Sequence, residues 1–143
     1  MLYLGADHNG FHLKEYLKKY LDERGIIYVD LGNKKFQKTD DYPDWAKLVA
    51  KKVQKNKKDL GILMCGSGQG MCITANRYKN VRAAFGWSAA AARRVRHDDD
   101  ANILCLPAWG LTNEQGKHIV SAWLNTAFAG LTRYKRRIKK IDR

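Results

Sequence analysis

At 143 residues the chain suits one domain, 1–143, that buries roughly 68–70% of its unfolded surface, and 45% hydrophobic with 29% charged residues is the balance of a soluble globular protein. No apolar run approaches the ~20 residues a membrane helix needs, and the opening MLYLGADHNG has neither a basic nor an apolar leader region, so a cytoplasmic protein is expected. The formal charge of +13, with 27 Lys and Arg against 14 acidic residues, is concentrated in the closing RYKRRIKKIDR and would attract anions from phosphorylated metabolites to nucleic acid.

Short apolar strands alternate with amphipathic helices. LYLGA reads as the first strand; Leu13, Tyr16, Leu17, Tyr20 and Leu21 then recur at helical spacing, closed by Gly25. IIYVDLG is the second strand, and the polar NKKFQKTDDYP leads into a helix with Trp45, Ala46, Val49, Ala50 and Val53 on one face. GILMC is the third, followed by a glycine loop and a helix from near Met71. VRAAFGW is the fourth, with a helix from Ser88 to about Arg96. NILCLPA is the fifth, followed by a helix carrying Ile119, Val120, Trp123, Leu124 and Ala127, and a basic helix over about 131–143 ends the chain. This order predicts an α/β fold: a Rossmann-like three-layer α/β/α sandwich on a mostly parallel five-stranded sheet, with ligands beyond the carboxyl ends of the strands.

Three strand ends carry unusual chemistry: Asp7 to Gly10, Cys65 to Gly70, and Pro107 to Trp109. In CGSGQG, the glycines Gly66, Gly68 and Gly70 match neither a Walker loop nor GxGxxG; between strand and helix they either let backbone N–H groups converge on an anion or make a tight turn. Cys65 heads the loop. A helix N-terminus lowers a thiol pKa, so Cys65 is a candidate base for a proton on a carbon beside a carbonyl, with adjacent amides stabilising the oxyanion; the plainer alternative is a small packed cysteine. Cys72 and Cys105, in apolar surroundings, are expected to be buried spectators, and no CxxC metal spacing occurs. Asp7 and His8 are either a helix cap and a surface histidine, or a sugar-hydroxyl partner and a phosphate or proton-transfer partner. Tyr42, before Pro43, is expected in an extended turn. Arg133 and Arg137 share a helix face at i, i+4, as a phosphate fork or as a solvated basic face.

GADHNGFHLKEYL, TDDYPDWA, GILMCGSGQGMCITANRYKNVRAA, DANILCLPA and FAGLTRYKRRIKKI, in this order, resemble the B type of ribose-5-phosphate isomerase, in the family that includes galactose-6-phosphate isomerase subunits. The likeness spans the chain. It implies cofactor-free, metal-free aldose–ketose isomerisation of a phosphosugar, with ribose 5-phosphate and ribulose 5-phosphate first, through an enediolate. It also implies a homodimer or higher even oligomer with active sites at the subunit boundary. Carried over, Cys65 is the base; Gly66, Ser67, Gly68, Gln69 and Gly70 hold the enediolate oxygens; Asp7 and Tyr42 bind sugar; and His8, Arg133 and Arg137 bind phosphate.

Three positions depart from the pattern. Where the family has REHNDAN this chain has RHDDDAN, which puts Asp98 where a ring-opening His belongs and Asp99 where an Asn belongs, with His97 one residue early. Trp109 stands where the family often has Arg. An aspartate donates a proton at neutral pH only if its pKa is raised, for which crowding among Asp98, Asp99 and Asp100 is one route. The departures keep open a second reading, a non-catalytic or altered-specificity sugar-phosphate binder. Nucleic acid is expected only as a nonspecific electrostatic partner, since no recognition module is present.

Overall fold

The computed structural model describes residues 1–142; Arg143, the last basic residue of the tail, lies outside the described residues. The strands are β1 (Leu2–Ala6), β2 (Tyr28–Asp30), β3 (Leu60–Cys65), β4 (Ala83–Phe85) and β5 (Ile103–Pro107). The helices are α1 (Phe11–Glu23), α2 (Tyr42–Val53), α3 (Gln69–Ala75), α4 (Ala89–Asp99), α5 (Asn113–Leu124) and α6 (Thr132–Ile141). The strands form one sheet in the order β2-β1-β3-β5-β4, and every pairing is parallel.

Side chains alternate across the sheet and give each face its own core. Leu4, Ile62 and Leu104 are in register on one face and pack under α1, α4 and α5, where Trp123 is fully buried. Leu63 and Cys105 face the other way, against Ala46, Val49, Ala50 and Val53 of α2 and Met71 and Ala75 of α3. Both faces are covered, as the near-continuous apolar strands require.

Regular structure departs from the apolar pattern in several places. β2 holds three residues rather than the seven of IIYVDLG, because it is an edge strand paired only to β1. Ile26 instead closes the turn after α1, its N–H on Leu21 O at 2.9 Å, and Ile27 is 77% exposed. α3 starts at Gln69, ahead of Met71, and α5 stops at Leu124, before Ala127. Tyr42 is not in an extended turn: it opens α2, where Pro43 is tolerated because first-turn N–H groups have no helical partner, and the extended residue is Asp41. Cys105 is buried as expected, whereas Cys72 is only half-buried.

The connection from β1 to α1 crosses the end of β3 closely. A methyl group on Gly10 would lie 2.3 Å from Met64 O, a backbone atom that cannot swing aside. Gly10→Ala is expected to destabilise the fold by about 1–3 kcal/mol, as overpacking does, read as a lowered urea midpoint at unchanged slope.

Candidate active site

The chain leaves β1 toward one edge and returns past it to β3, so the connections after these neighbouring strands run to opposite faces: α1 to one, α3 to the other. Their carboxyl ends therefore border a crevice, the place where doubly wound sheets bind ligands. Ala6 pairs with Met64, which sets Asp7 and Cys65 side by side as the first residues into it.

Cys65 is 4% exposed and accepts a hydrogen bond from the N–H of Gly68 at 3.2 Å. The turn needs Gly68, which sits at φ +74°, a backbone conformation that favours glycine. The expected fall in thiol pKa is not found. Burial raises it and the charge of Asp7 adds to the rise, outweighing the N–H groups of Met71, Gly68 and Ser67 that favour the thiolate. A helix of seven residues does not offset that burial. Asp7 is also raised, chiefly by burial, although its Oδ1 accepts from Gly10 N at 3.0 Å. Gly10 rather than Asp7 is the cap of α1.

The loop lies between two aromatic rings. A methyl on Gly66 would meet the Trp109 ring at 2.4 Å, and one on Gly70 would meet the Tyr42 ring at 2.6 Å. Trp109 is held there by its own N–H on Gly66 O at 2.9 Å, yet is 75% exposed. Ser67 and Gln69 are exposed on the rim, with Ser67 Oγ accepting from Gln69 N at 3.3 Å.

His8 is oriented by a residue the sequence did not single out. Asp40 Oδ1 accepts from His8 N at 2.9 Å and meets His8 Nδ1 at 2.8 Å, while its Oδ2 accepts from Trp45 Nε1 and Asn33 Nδ2, each at 2.8 Å. Burial pushes the Asp40 carboxyl up, but the bonds from His8 and Trp45 win and hold it below the ordinary carboxylate range. Asn33 is fixed in turn through its carbonyl by Lys14 Nζ at 2.5 Å; Lys14 is fully buried and also donates to both oxygens of Asp30 at 2.8 Å. The signal for Lys14 was in the sequence: it lies on the Leu13–Leu17–Leu21 stripe, where a lysine needs a buried partner. Asp40 carried no signal apart from its place in TDDYP.

The remaining predicted residues gather elsewhere. α4 runs back from the carboxyl end of β4 to the amino end of β5, so His97, Asp98 and Asp99 lie roughly 15 Å along its axis from the crevice end, at about 1.5 Å per residue. There α6 packs on α4: Ala129 N bonds to His97 O at 3.0 Å, and the His97 and Tyr134 rings meet edge-on at 6.1 Å. Arg133 and Arg137 do share a face, their guanidinium groups 4.8 and 5.9 Å from the ring of half-sandwiched, buried Tyr134. Asp98 is not the raised carboxyl that crowding would produce. The hydrogen bond from His97 Nδ1, 2.6 Å away, is the main cause that lowers it, aided by Tyr134 and Arg94. Asp99 offers its backbone carbonyl to Arg82 at 3.0 Å. Asp7, His8, Tyr42 and Cys65 to Gly70 thus form one group, and His97, Asp98, Arg133 and Arg137 a second at the other end of the sheet.

A buried thiol beside a carboxylate, fed by loop amides at a switch point of a parallel sheet, belongs to the α/β proteins that work on small anionic metabolites. The sequence pattern of the Ribose/Galactose Isomerase family matches residues 2–141. The chain belongs to that family and is a sugar-phosphate isomerase. A solved ribose-5-phosphate isomerase B from Mycoplasma genitalium, with bound ribulose 5-phosphate, is 43% identical; the match covers 99% of this chain and 93% of that one, with a TM-score of 0.95. The ribose-5-phosphate isomerase B of Escherichia coli is 36% identical over 96% of this chain and 91% of its own length. A D-erythrulose-4-phosphate isomerase of Pectobacterium atrosepticum is 35% identical over 89% of this chain and 84% of its own. Among the described residues no helix is long and apolar enough to cross a membrane.

Proposed function

We propose that the chain interconverts ribose 5-phosphate and ribulose 5-phosphate through an enediolate, with Cys65 carrying the proton between C2 and C1. The observation behind this reading is the buried Cys65 sulfur, bonded by Gly68 N beside Asp7 at the mouth of the crevice. Oxidation at one carbon matches reduction at its neighbour, so the reaction needs no external electron acceptor. In this reading the loop from Gly66 to Gly70, with the Ser67 hydroxyl, holds the enediolate oxygens, and Asp7 and Tyr42 bind the sugar hydroxyls. The activity belongs to cytoplasmic carbohydrate metabolism.

Arg133 and Arg137 are the phosphate ligands in this reading, and one copy keeps them at the far end of the sheet from Cys65. Two copies, each lending its arginines to the other's crevice, would complete two sites in a homodimer or higher even oligomer. Mixing Cys65→Ala with Arg137→Ala protein tests this. Each variant alone is crippled, while an equimolar, re-equilibrated mixture regains roughly a quarter of wild-type turnover, because half the dimers are mixed and each holds one intact site. A mixture no more active than its parts would sink the shared site.

Because the Cys65 thiol is raised, the thiolate fraction grows with pH, and turnover is expected to climb on the alkaline side of neutrality. Asp7→Asn removes a charge that opposes ionisation and should move that rise to lower pH even as the maximum rate falls. An unshifted profile would separate the two side chains electrically.

Trp109 motivates a second reading. It sets an uncharged ring over Gly66, where the resemblance often has Arg, and one relative is named for a four-carbon substrate. Altered specificity would appear as faster turnover of a four- or six-carbon phosphosugar than of ribose 5-phosphate. A non-catalytic binder would instead show sugar-phosphate stabilisation that survives Cys65→Ala, with no turnover by the wild type.

A further inference from the structure

Arg133 and Arg137 ride on a helix that packing holds only near its start. Tyr134 is the side chain α6 buries. Ahead of it, Ala129 N bonds to His97 O at 3.0 Å, and the His97 ring meets Tyr134 edge-on, so the first turn is fixed to α4. Beyond Tyr134 the helix is mostly exposed: Arg137, Lys139, Lys140 and Ile141 face solvent and only Ile138 is half-buried. A two-armed grip on phosphate needs both guanidinium groups held in place, so the last turns need an anchor.

Arg82 supplies one. Its Nη1 donates to Asp142 Oδ2 at 2.8 Å, one residue past the end of α6. The rest of the fork reaches the end of α4. Nε donates to the carbonyls of Asp99 and Asp100 at 3.0 and 3.2 Å, and Nη2 to the Asp100 carbonyl and Oδ2 at 3.0 and 3.1 Å. A cation over the last carbonyls of a helix is favoured by the helix dipole, and a planar fork can serve two helix ends at once where a single ammonium cannot. Arg82 is itself held by the sheet. Its N–H donates to Asn102 Oδ1 at 2.8 Å and its carbonyl accepts from Asn102 N at 3.1 Å, where β4 and β5 begin.

Resting on the shared-site reading above, we propose that Arg82 is a positioning residue for substrate phosphate. It ties the ends of α4 and α6 to the sheet and so fixes Arg137, five residues before Asp142, for the partner's crevice. Arg82 does not touch the sugar. Arg133, next to the buried Tyr134, depends on it less.

Asp142→Ala cuts the link to α6 and leaves Arg82 on α4. It is expected to raise KM for ribose 5-phosphate about tenfold at nearly unchanged kcat, short of the roughly 100-fold that a 1 Å misplacement can cost. The inhibition constant of inorganic phosphate should rise in parallel. The direction is informative, because losing a carboxylate makes the chain more positive, which by itself would tighten phosphate binding. Arg82→Lys, which keeps the charge without the fork, should behave in the same way. Added to Arg137→Ala, Asp142→Ala should change KM by less than about twofold, since the group it positions is gone. Unchanged KM and phosphate inhibition in Asp142→Ala would overturn the proposal. So would a tenfold rise that persists in the Arg137→Ala background, or a loss confined to kcat. Arg137→Ala with wild-type KM and phosphate inhibition would instead remove the arginine reading, and a wild type without turnover the isomerase reading, each a separate failure.

Discussion

Cys65→Ala is expected to reduce turnover of ribose 5-phosphate by about a thousandfold or more with little change in KM, the loss of a proton-transfer group and not of a binding contact. Cys65 is 4% exposed and belongs to the same core cluster as Met71 and Cys105, so removing its sulfur leaves a small cavity costing about 1 kcal/mol, and the variant should remain folded. Cys65→Ser is the sharper comparison. It keeps an acceptor for the Gly68 N–H, yet a hydroxyl in this buried place beside Asp7 ionises far less readily than a thiol, so it should be nearly as inactive as alanine. A serine variant with substantial turnover would move the base elsewhere, and Asp7, the adjacent carboxylate, would be the first place to look.

Lys14→Met is expected to be the most destabilising single change outside the apolar core. Lys14 is fully buried: its ammonium lies between Asp30 and the Asn33 carbonyl. Removing one member of such a pair strands the other, at a cost of about 3–5 kcal/mol. Lys18, 3.0 Å from Asp30 Oδ2, remains as a partial substitute and points to the lower end of that range. The pH dependence has a definite sign. Burial alone would raise the Asp30 carboxyl, but Lys14, Lys18 and the Gly32 N–H bring it below the ordinary carboxylate range. Asp30 therefore contributes stability above its unfolded pKa that is lost as pH falls through the folded value. Urea unfolding of the wild type should show this acid limb, and Lys14→Met should lose much of it. Lys14→Met/Asp30→Leu should recover part of the loss, because two apolar groups leave no stranded charge. Since Lys14 also holds Asn33, the single variant is further expected to loosen Asp40 and His8.

The parts of the molecule legible in the sequence were those set by local periodicity. β1, β3 and β5 read as continuous apolar runs because both of their faces are covered, and Ser88, where the helix was expected to start, is the N-cap of α4, its Oγ accepting from Ala91 N at 3.1 Å. β2 was overextended because an edge strand ends where its one neighbour ceases to pair, which hydrophobicity does not record. The direction of the Cys65 shift was missed for a similar reason: a helix N-terminus can be read from the chain, whereas burial and the Asp7 charge arise only when β1 and β3 lie side by side. Asp40 reaches His8 across 32 residues, and nothing local distinguishes it from Asp41. Arg133 and Arg137 were correctly placed on one face by their spacing, but spacing could not show that their helix packs on α4, far from the glycine loop.

The central claim is that the glycine loop headed by Cys65 moves a proton between C1 and C2 of a sugar phosphate. Its most direct test is proton NMR of ribose 5-phosphate incubated with the protein in deuterated water. The account predicts that the wild type incorporates deuterium at C1 of the ribulose 5-phosphate formed and, as the mixture equilibrates, at C2 of the aldose, and that Cys65→Ala incorporates none on the same timescale. Equal incorporation by the two proteins, or conversion by the wild type with the C2 hydrogen passed on wholly unexchanged in both, would contradict it.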